Sequence, residues 1–135
     1  MDNLFLLQGT PLALAAYFMR GCLTSIAIET PVLCVGLSRR HTMLQRIFAG
    51  IWLTTCSYPI VMLFLPHLIN PGNRGLYLGV AETFAPISEC AIFWLMFGSR
   101  AQFGKRSMYR DFAVIVLANL LSFGFGQLFG HYMEW

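Results

Sequence analysis

Long runs of apolar residues divide this chain into four segments separated by short polar stretches. The runs cover approximately residues 11–37, 47–65, 76–98 and 112–132. A helix of about 20 residues crosses the roughly 30 Å of hydrocarbon in a bilayer, so each run is long enough. The apolar residues are continuous rather than alternating, which favours helices over the strands of a membrane barrel. The pattern predicts an all-α, polytopic membrane protein with four transmembrane helices.

The composition supports the same class of protein. Hydrophobic residues make up 57% of the 135 residues and charged residues only 11%, which lies outside the usual range of soluble domains. The chain is short for more than one domain. We therefore expect residues 1–135 to form a single four-helix transmembrane domain surrounded by the lipid bilayer.

Basic residues cluster in the two loops that join helices 1 to 2 and 3 to 4. Seven of the nine lie there, namely Arg39, Arg40, Arg46, Arg100, Lys105, Arg106 and Arg110. By the positive-inside rule both loops face the cytoplasm, which puts both termini on the other side. We expect a bacterial inner membrane protein with no nucleic-acid partner, because this charge is explained by topology.

Each predicted helix carries a polar residue at a similar depth. Glu29 lies nine residues before the Ser38-Arg39 end of its segment, which is about 13 Å of helix. Thr55, Glu89 and Asn119 lie at comparable depths in the other three helices. Glu82 precedes Glu89 by two turns and shares its face. Each half of the chain has the same order of elements: a helix with a glutamate, a basic loop, and a helix with a Thr or an Asn. This order is compatible with two repeated hairpins.

The intramembrane glutamates allow two interpretations. A carboxylate at mid-bilayer costs on the order of 3 kcal/mol or more, so these side chains should face the bundle interior or a wet cavity. They would then relay protons or cations, or pair with a cationic ligand. Alternatively, protonated Glu29 and Glu89 hydrogen-bond to Asn119 or Thr55 and only fix the helix packing.

Three prolines fall within the predicted helices. Pro31, Pro59 and Pro86 each release the carbonyl four residues earlier and are expected to kink their helices. A freed carbonyl in a membrane needs another donor, a water or an ion. Such interruptions occur in ion transporters and also in ordinary kinked helices.

Small residues recur at four-residue spacing on helix 4. Ser122, Gly126 and Gly130 form this face, which would let another helix approach closely. The partner is either helix 1, through Gly21 and Ser25, or a second subunit.

Motifs of familiar enzymes do not occur in the sequence. The four cysteines form no C-x-x-C pair, and there is no nucleophile elbow, H-E-x-x-H pair or phosphate loop. We expect a protein that is not an enzyme and has no metal site, and the sequence identifies no cofactor.

Four short stretches carry a resemblance to a known type of protein. They read ETPVLCVGLSRR, TTCSYP, VAETFAPISE and ANLLSFGFG. From about Glu29 to Gly126 the chain resembles small four-helix membrane proteins of bacteria. Those proteins share a Glu-x-Pro stretch, an Asn/Thr-rich second helix ending in proline, and glutamates in the third helix. Thr55 and Ser57 stand here where Asn is more usual. The resemblance implies the four-helix fold and no particular activity.

Two functions are compatible with these features. The first is a non-enzymatic membrane subunit that assembles with itself or with a larger membrane complex, using the polar layer for helix register and the helix 4 glycines for contact. The second is a small proton- or cation-coupled transporter that uses Glu29 and Glu89. Because four helices rarely enclose a pathway alone, the transporter hypothesis predicts an oligomer. The sequence favours the first function narrowly.

Overall fold

The described part of the protein is almost entirely helical, with no strand. A computed structural model describes residues 11–69, 72–98 and 105–132. Helix α1 spans Pro11–Gly36, α2 spans Met43–Leu68, α3 spans Arg74–Phe97 and α4 spans Lys105–Tyr132. All four are long and apolar enough to cross a membrane. The prediction of an all-α protein with four helices able to span a membrane is confirmed.

Helices α2 and α4 begin a full turn or more before their apolar runs, and α3 begins two residues before its run. Helix α2 begins at Met43 because Thr42 and Gln45 form a capping box, in which each side chain accepts a hydrogen bond from the other residue's backbone N–H. Helix α4 begins at Lys105, so its first two turns are polar. Hydropathy alone missed these turns because it registers only the apolar part of a helix.

The three predicted kink prolines behave differently from one another. Helices α1 and α3 continue through Pro31 and Pro86. In α2, the α-helical part ends at Pro59 and a π-helical turn follows over Ile60–Phe64. The Tyr77 hydroxyl of α3 donates to the Val61 carbonyl in that turn, at 3.1 Å. A π-turn of this kind adjusts the backbone after a proline has removed one N–H.

The four helices form a ring. Helix α1 packs against α2 and α4, and α3 packs against the same two helices from the opposite side. The hydrophobic core fills the half of the ring nearest the basic loops, which we call the basic half. Its buried residues are Leu33, Leu37, Ala49, Leu53, Phe93, Phe97, Ile115 and Ala118.

A buried polar cluster closes the basic half. Asp111 of α4 accepts hydrogen bonds from the Ser38 backbone N–H at 2.7 Å and from the Ser38 hydroxyl at 3.1 Å. The Nε2 atom of His41 lies 3.0 Å from Asp111 Oδ2. The His41 ring also packs edge-on against Phe93 and Phe97. These contacts tie the loop after α1 to the start of α4.

Two arginines complete this end of the bundle. Arg46 donates to the carbonyls of Cys34, Ser38 and His41. Arg110 donates to the Gly36 carbonyl at 3.2 Å. The last carbonyls of α1 lack helical partners, so these guanidinium groups cap the helix. Both side chains therefore have structural partners in addition to any effect on topology.

The α1–α2 contact depends on a glycine, which gives the first testable prediction. A Cβ at Gly50 would lie 2.5 Å from Thr30 Oγ1 and 2.8 Å from Thr30 Cα. Because the backbone itself is in the way, we expect Gly50→Ala to destabilise the folded protein by about 1–3 kcal/mol. A Cβ at Gly79 would meet nothing within 4 Å, so Gly79→Ala is the matched control. Unfolding of both variants in detergent measures the difference, and equal stabilities would show that α1 and α2 are not in close contact.

Candidate functional site

The other half of the ring contains a partly open cavity of about 830 Å³. Residues of all four helices line it, from Glu29, Glu89 and Asn119 at its inner end to Tyr17 and Gln127 farther out. Tyr17 is twelve residues before Glu29 along α1, or about 18 Å of helix. The polar cavity, as we call it, therefore occupies the half that the hydrophobic core leaves unfilled.

Glu29 lies at the inner end of the polar cavity and is only 5% exposed. Its Oε2 atom is 2.6 Å from the Thr54 hydroxyl of α2. Its carboxyl group also interacts with the Ser122 hydroxyl of α4. Ser122 in turn donates to the Ser25 hydroxyl at 3.2 Å. Hydroxyl groups from two neighbouring helices thus meet this carboxyl.

Glu89 occupies an equivalent place on α3 and is 3% exposed. The Ser57 hydroxyl of α2 donates to Oε1 at 2.6 Å, and the Asn119 amide of α4 donates to Oε2 at 2.7 Å. The Asn119 nitrogen also donates to the Ile115 carbonyl at 3.0 Å. Glu89 therefore joins three helices through two hydrogen bonds.

Helix α2 provides one hydroxyl for each carboxyl. Thr54 and Ser57 are three residues apart and lie on the same helix face, so one contacts Glu29 and the other Glu89. The two carboxyls interact electrostatically with each other. We refer to Glu29, Glu89, Thr54, Ser57 and Asn119 as the carboxyl layer.

The prediction that Thr55 belongs to this layer is wrong. Thr55 is exposed, and its hydroxyl donates to the Ile51 carbonyl at 2.6 Å within α2. Counting residues from the basic end gave the correct depth, but adjacent helix positions point about 100° apart. Thr54 is the residue at that depth that faces inward. The spacing of Thr54 and Ser57 was the signal that identifies this face.

Other predicted residues lie at or beside the cavity. Glu82 lines its wall, half-buried, two turns from Glu89. Pro86, one turn from Glu89, is buried, whereas Pro31 is exposed. Pro59 lies beside Tyr58, which lines the cavity.

The predicted small-residue face of α4 is divided between two environments. Ser122 contacts Ser25 of α1, as the helix 1 alternative required. Gly126 lines the polar cavity, and a Cβ there would meet nothing within 4 Å. The surroundings of Gly130 lie outside the described residues.

Among the described residues that line it, the polar cavity has more acidic than basic side chains. Three carboxyl groups line it, against one guanidinium group, that of Arg20. Its wall also contains the phenol rings of Tyr17, Tyr58 and Tyr77, and aromatic faces attract cations. Within the described ranges, no group of three or more His, Cys, Asp or Glu side chains could hold a metal ion.

Comparison of the chain with protein-family models, with curated proteins and with solved structures finds no match.

The two adjacent threonines of α2 give a matched test of the carboxyl layer. We expect Thr54→Val to destabilise the protein by about 1 kcal/mol, because it removes the hydroxyl that meets buried Glu29. Thr55→Val should change little, because its hydroxyl bonds only within its own helix. Unfolding of each variant in the same detergent measures both effects. A Thr55 effect as large as the Thr54 effect would contradict this assignment of the inward face.

Proposed function

We propose that this chain is a small integral membrane transporter that moves protons or a cation by way of Glu29 and Glu89. The observation that carries the proposal is the polar cavity, whose lining includes two buried carboxyl groups. A carboxyl at that depth is costly to bury and is characteristic of ion and proton pathways. The distribution of basic loops supports a cytoplasmic membrane with the basic half toward the cytoplasm.

The partners of the carboxyls favour transport over a purely packing role. Glu29 and Glu89 hydrogen-bond to hydroxyl and amide groups, and none of their hydrogen bonds in the described chain is to Lys or Arg. Neutral partners leave the charge of the pair to be balanced by protons or by a bound cation. Both would reach the pair through the polar cavity.

The basic half has to open for solute to cross. The core and the Asp111 cluster fill the space between the carboxyl layer and the basic loops. Among the described residues, the polar cavity and this packed half lie on opposite sides of the carboxyl layer, an arrangement that supports one state of an alternating-access cycle. A transport cycle needs a second state in which this half separates.

Proton flux in reconstituted vesicles tests the proposal. Under an imposed pH gradient, we expect the wild-type protein to carry a flux that falls to the level of protein-free vesicles in Glu29→Gln and in Glu89→Gln. Each substitution keeps the shape of the side chain but removes its ability to exchange a proton. Thr55→Val is the control, because Thr55 is exposed and lies outside the carboxyl layer.

The same vesicles should be tested with monovalent cations on one side and no pH gradient. Cation flux that depends on Glu89 would identify the cation form of the activity. Wild-type protein that carries neither protons nor cations, while correctly folded, would refute the transport proposal.

A second proposed function is a non-enzymatic membrane subunit that assembles with itself or with a larger complex. The outer surface of α4 supports it. Gly124 lies on the side of α4 opposite Ser122, and a Cβ there would meet nothing within 4 Å. Its helical neighbours Leu117, Leu121 and Leu128 are exposed. A glycine framed by leucines lets a second helix approach closely in lipid.

A leucine scan at two glycines tests this assembly. We expect Gly124→Leu to shift purified protein from oligomer to monomer, because the added side chain would hold the partner helix away. Gly79→Leu is the matched control, since Gly79 is exposed on α3 with the same open space. Light scattering of the protein–detergent complex gives the oligomeric state. A wild-type monomer, or equal effects of both substitutions, would exclude assembly through this surface.

A further inference from the structure

The two carboxyls of the layer have different sets of hydrogen-bonding partners, which are hydroxyls alone at Glu29 and one hydroxyl and one amide at Glu89. Asn119 presents an amide N–H to Glu89 Oε2, and an amide N–H can only donate. The orientation of this amide is set by its second N–H, which donates to the Ile115 carbonyl at 3.0 Å. Glu89 Oε2 must therefore accept, and a donated hydrogen bond favours the ionised carboxylate.

Glu29 is met by hydroxyl groups, each of which has another acceptor. Thr54 Oγ1 lies 3.0 Å from the Gly50 carbonyl and 2.6 Å from Glu29 Oε2. Ser122 lies 3.2 Å from Ser25 Oγ in addition to its interaction with Glu29. A hydroxyl has one proton, so a threonine that donates to a carbonyl can only accept at its other contact. Either hydroxyl can thus accept a hydrogen bond from a protonated Glu29 carboxyl.

The surroundings of the pair contain few other charges. Among the residues that line the polar cavity, Arg20 and Glu82 are the other charged side chains, and Tyr17, Tyr58 and Tyr77 are titratable. Arg20 is nine residues, about 13 Å of helix, farther out along α1 than Glu29. The asymmetry between the two carboxyls therefore comes from their hydrogen-bonding partners.

We propose that the pair holds one proton and one negative charge at neutral pH, with the proton on Glu29 and the charge on Glu89. In the proposed transport function, on which this division of roles rests, Glu89 is the group that would hold a cation. Glu29 is the group that would release and take up a proton. The protonation states themselves are properties of the resting protein and can be measured without any flux.

Infrared spectroscopy of protein reconstituted in bilayers tests this assignment. Labelling all glutamates with ¹³C separates their carbonyl bands from those of aspartates. At neutral pH we expect the wild type to show the C=O stretch of a protonated glutamic acid. This band should disappear in Glu29→Gln and remain in Glu89→Gln. Glu82→Gln is the control for the third cavity glutamate and should keep the band.

A wild type with no protonated glutamic acid band overturns the proposal. So does a band that persists in Glu29→Gln, or one that is lost from Glu89→Gln. Circular dichroism and gel filtration check that each variant is folded before its spectrum is compared.

A second pair of variants keeps the test informative if the glutamine substitutions do not fold. Thr54→Val removes an acceptor from Glu29, so we expect the protonated-acid band to move to higher wavenumber. Ser57→Ala removes a partner of Glu89 only and should leave the band in place. A shift in Ser57→Ala without one in Thr54→Val would assign the proton to Glu89 and overturn the proposal.

The flux measurement tests transport and the infrared measurement tests the protonation assignment, so either proposal can be refuted without the other. A wild type that carries no flux but shows the Glu29 band would refute transport and keep the protonation assignment. Flux that depends on both glutamates, without the Glu29 band, would keep transport and refute the assignment.

Discussion

Burial of two carboxyl groups within an apolar helical ring is the constraint on which the rest of this structure depends. A buried acid needs hydrogen-bonding partners, because an unpaired polar group in a low-dielectric interior is costly. Helix α2 provides a hydroxyl to each carboxyl, and α4 completes both sites through Ser122 and Asn119. These bonds run between helices, so satisfying the acids also fixes the register and the rotation of all four helices.

The two halves of the ring differ because their inward residues differ. Below the carboxyl layer, leucine and phenylalanine side chains fill the interior, and Asp111 closes the end by binding Ser38 and His41. Above it, small residues such as Ser25, Ala81 and Ala85 line the polar cavity, and they leave space that no large side chain fills. This distribution of large and small inward residues produces a packed core on one side of the carboxyl layer and a cavity on the other.

The sequence predicted the four apolar helices and the depth of their polar residues. It did not predict the direction in which each of these side chains faces around its helix. The apolar runs and the basic loops located four helices, and counting from the loops placed Glu29, Glu89 and Asn119 at one level. The same count selected Thr55 instead of Thr54, because depth along a helix changes by only 1.5 Å per residue whereas direction turns by about 100°. The Asp111 cluster was missed for a different reason. Asp111 lies among basic residues near the start of α4, and its partners are 70 and 73 residues away in sequence.

The two proposed functions depend on different parts of the structure. The residues of one chain line the partly open cavity and include both carboxyls, and the expectation that a transporter of this size works as an oligomer stays a prediction. Assembly through Gly124 would add a neighbour on the outer surface of α4, on the side away from Ser122 and the carboxyl layer. The two proposed functions therefore use different surfaces and are compatible in one molecule.

The choice of carboxyls bears on the role of the carboxyl layer. If the layer served only to hold the helices together, amide side chains would do so equally well, because they carry no ionisation cost. The proposed transport function rests on carboxyls that have neutral hydrogen-bonding partners at the inner end of the cavity.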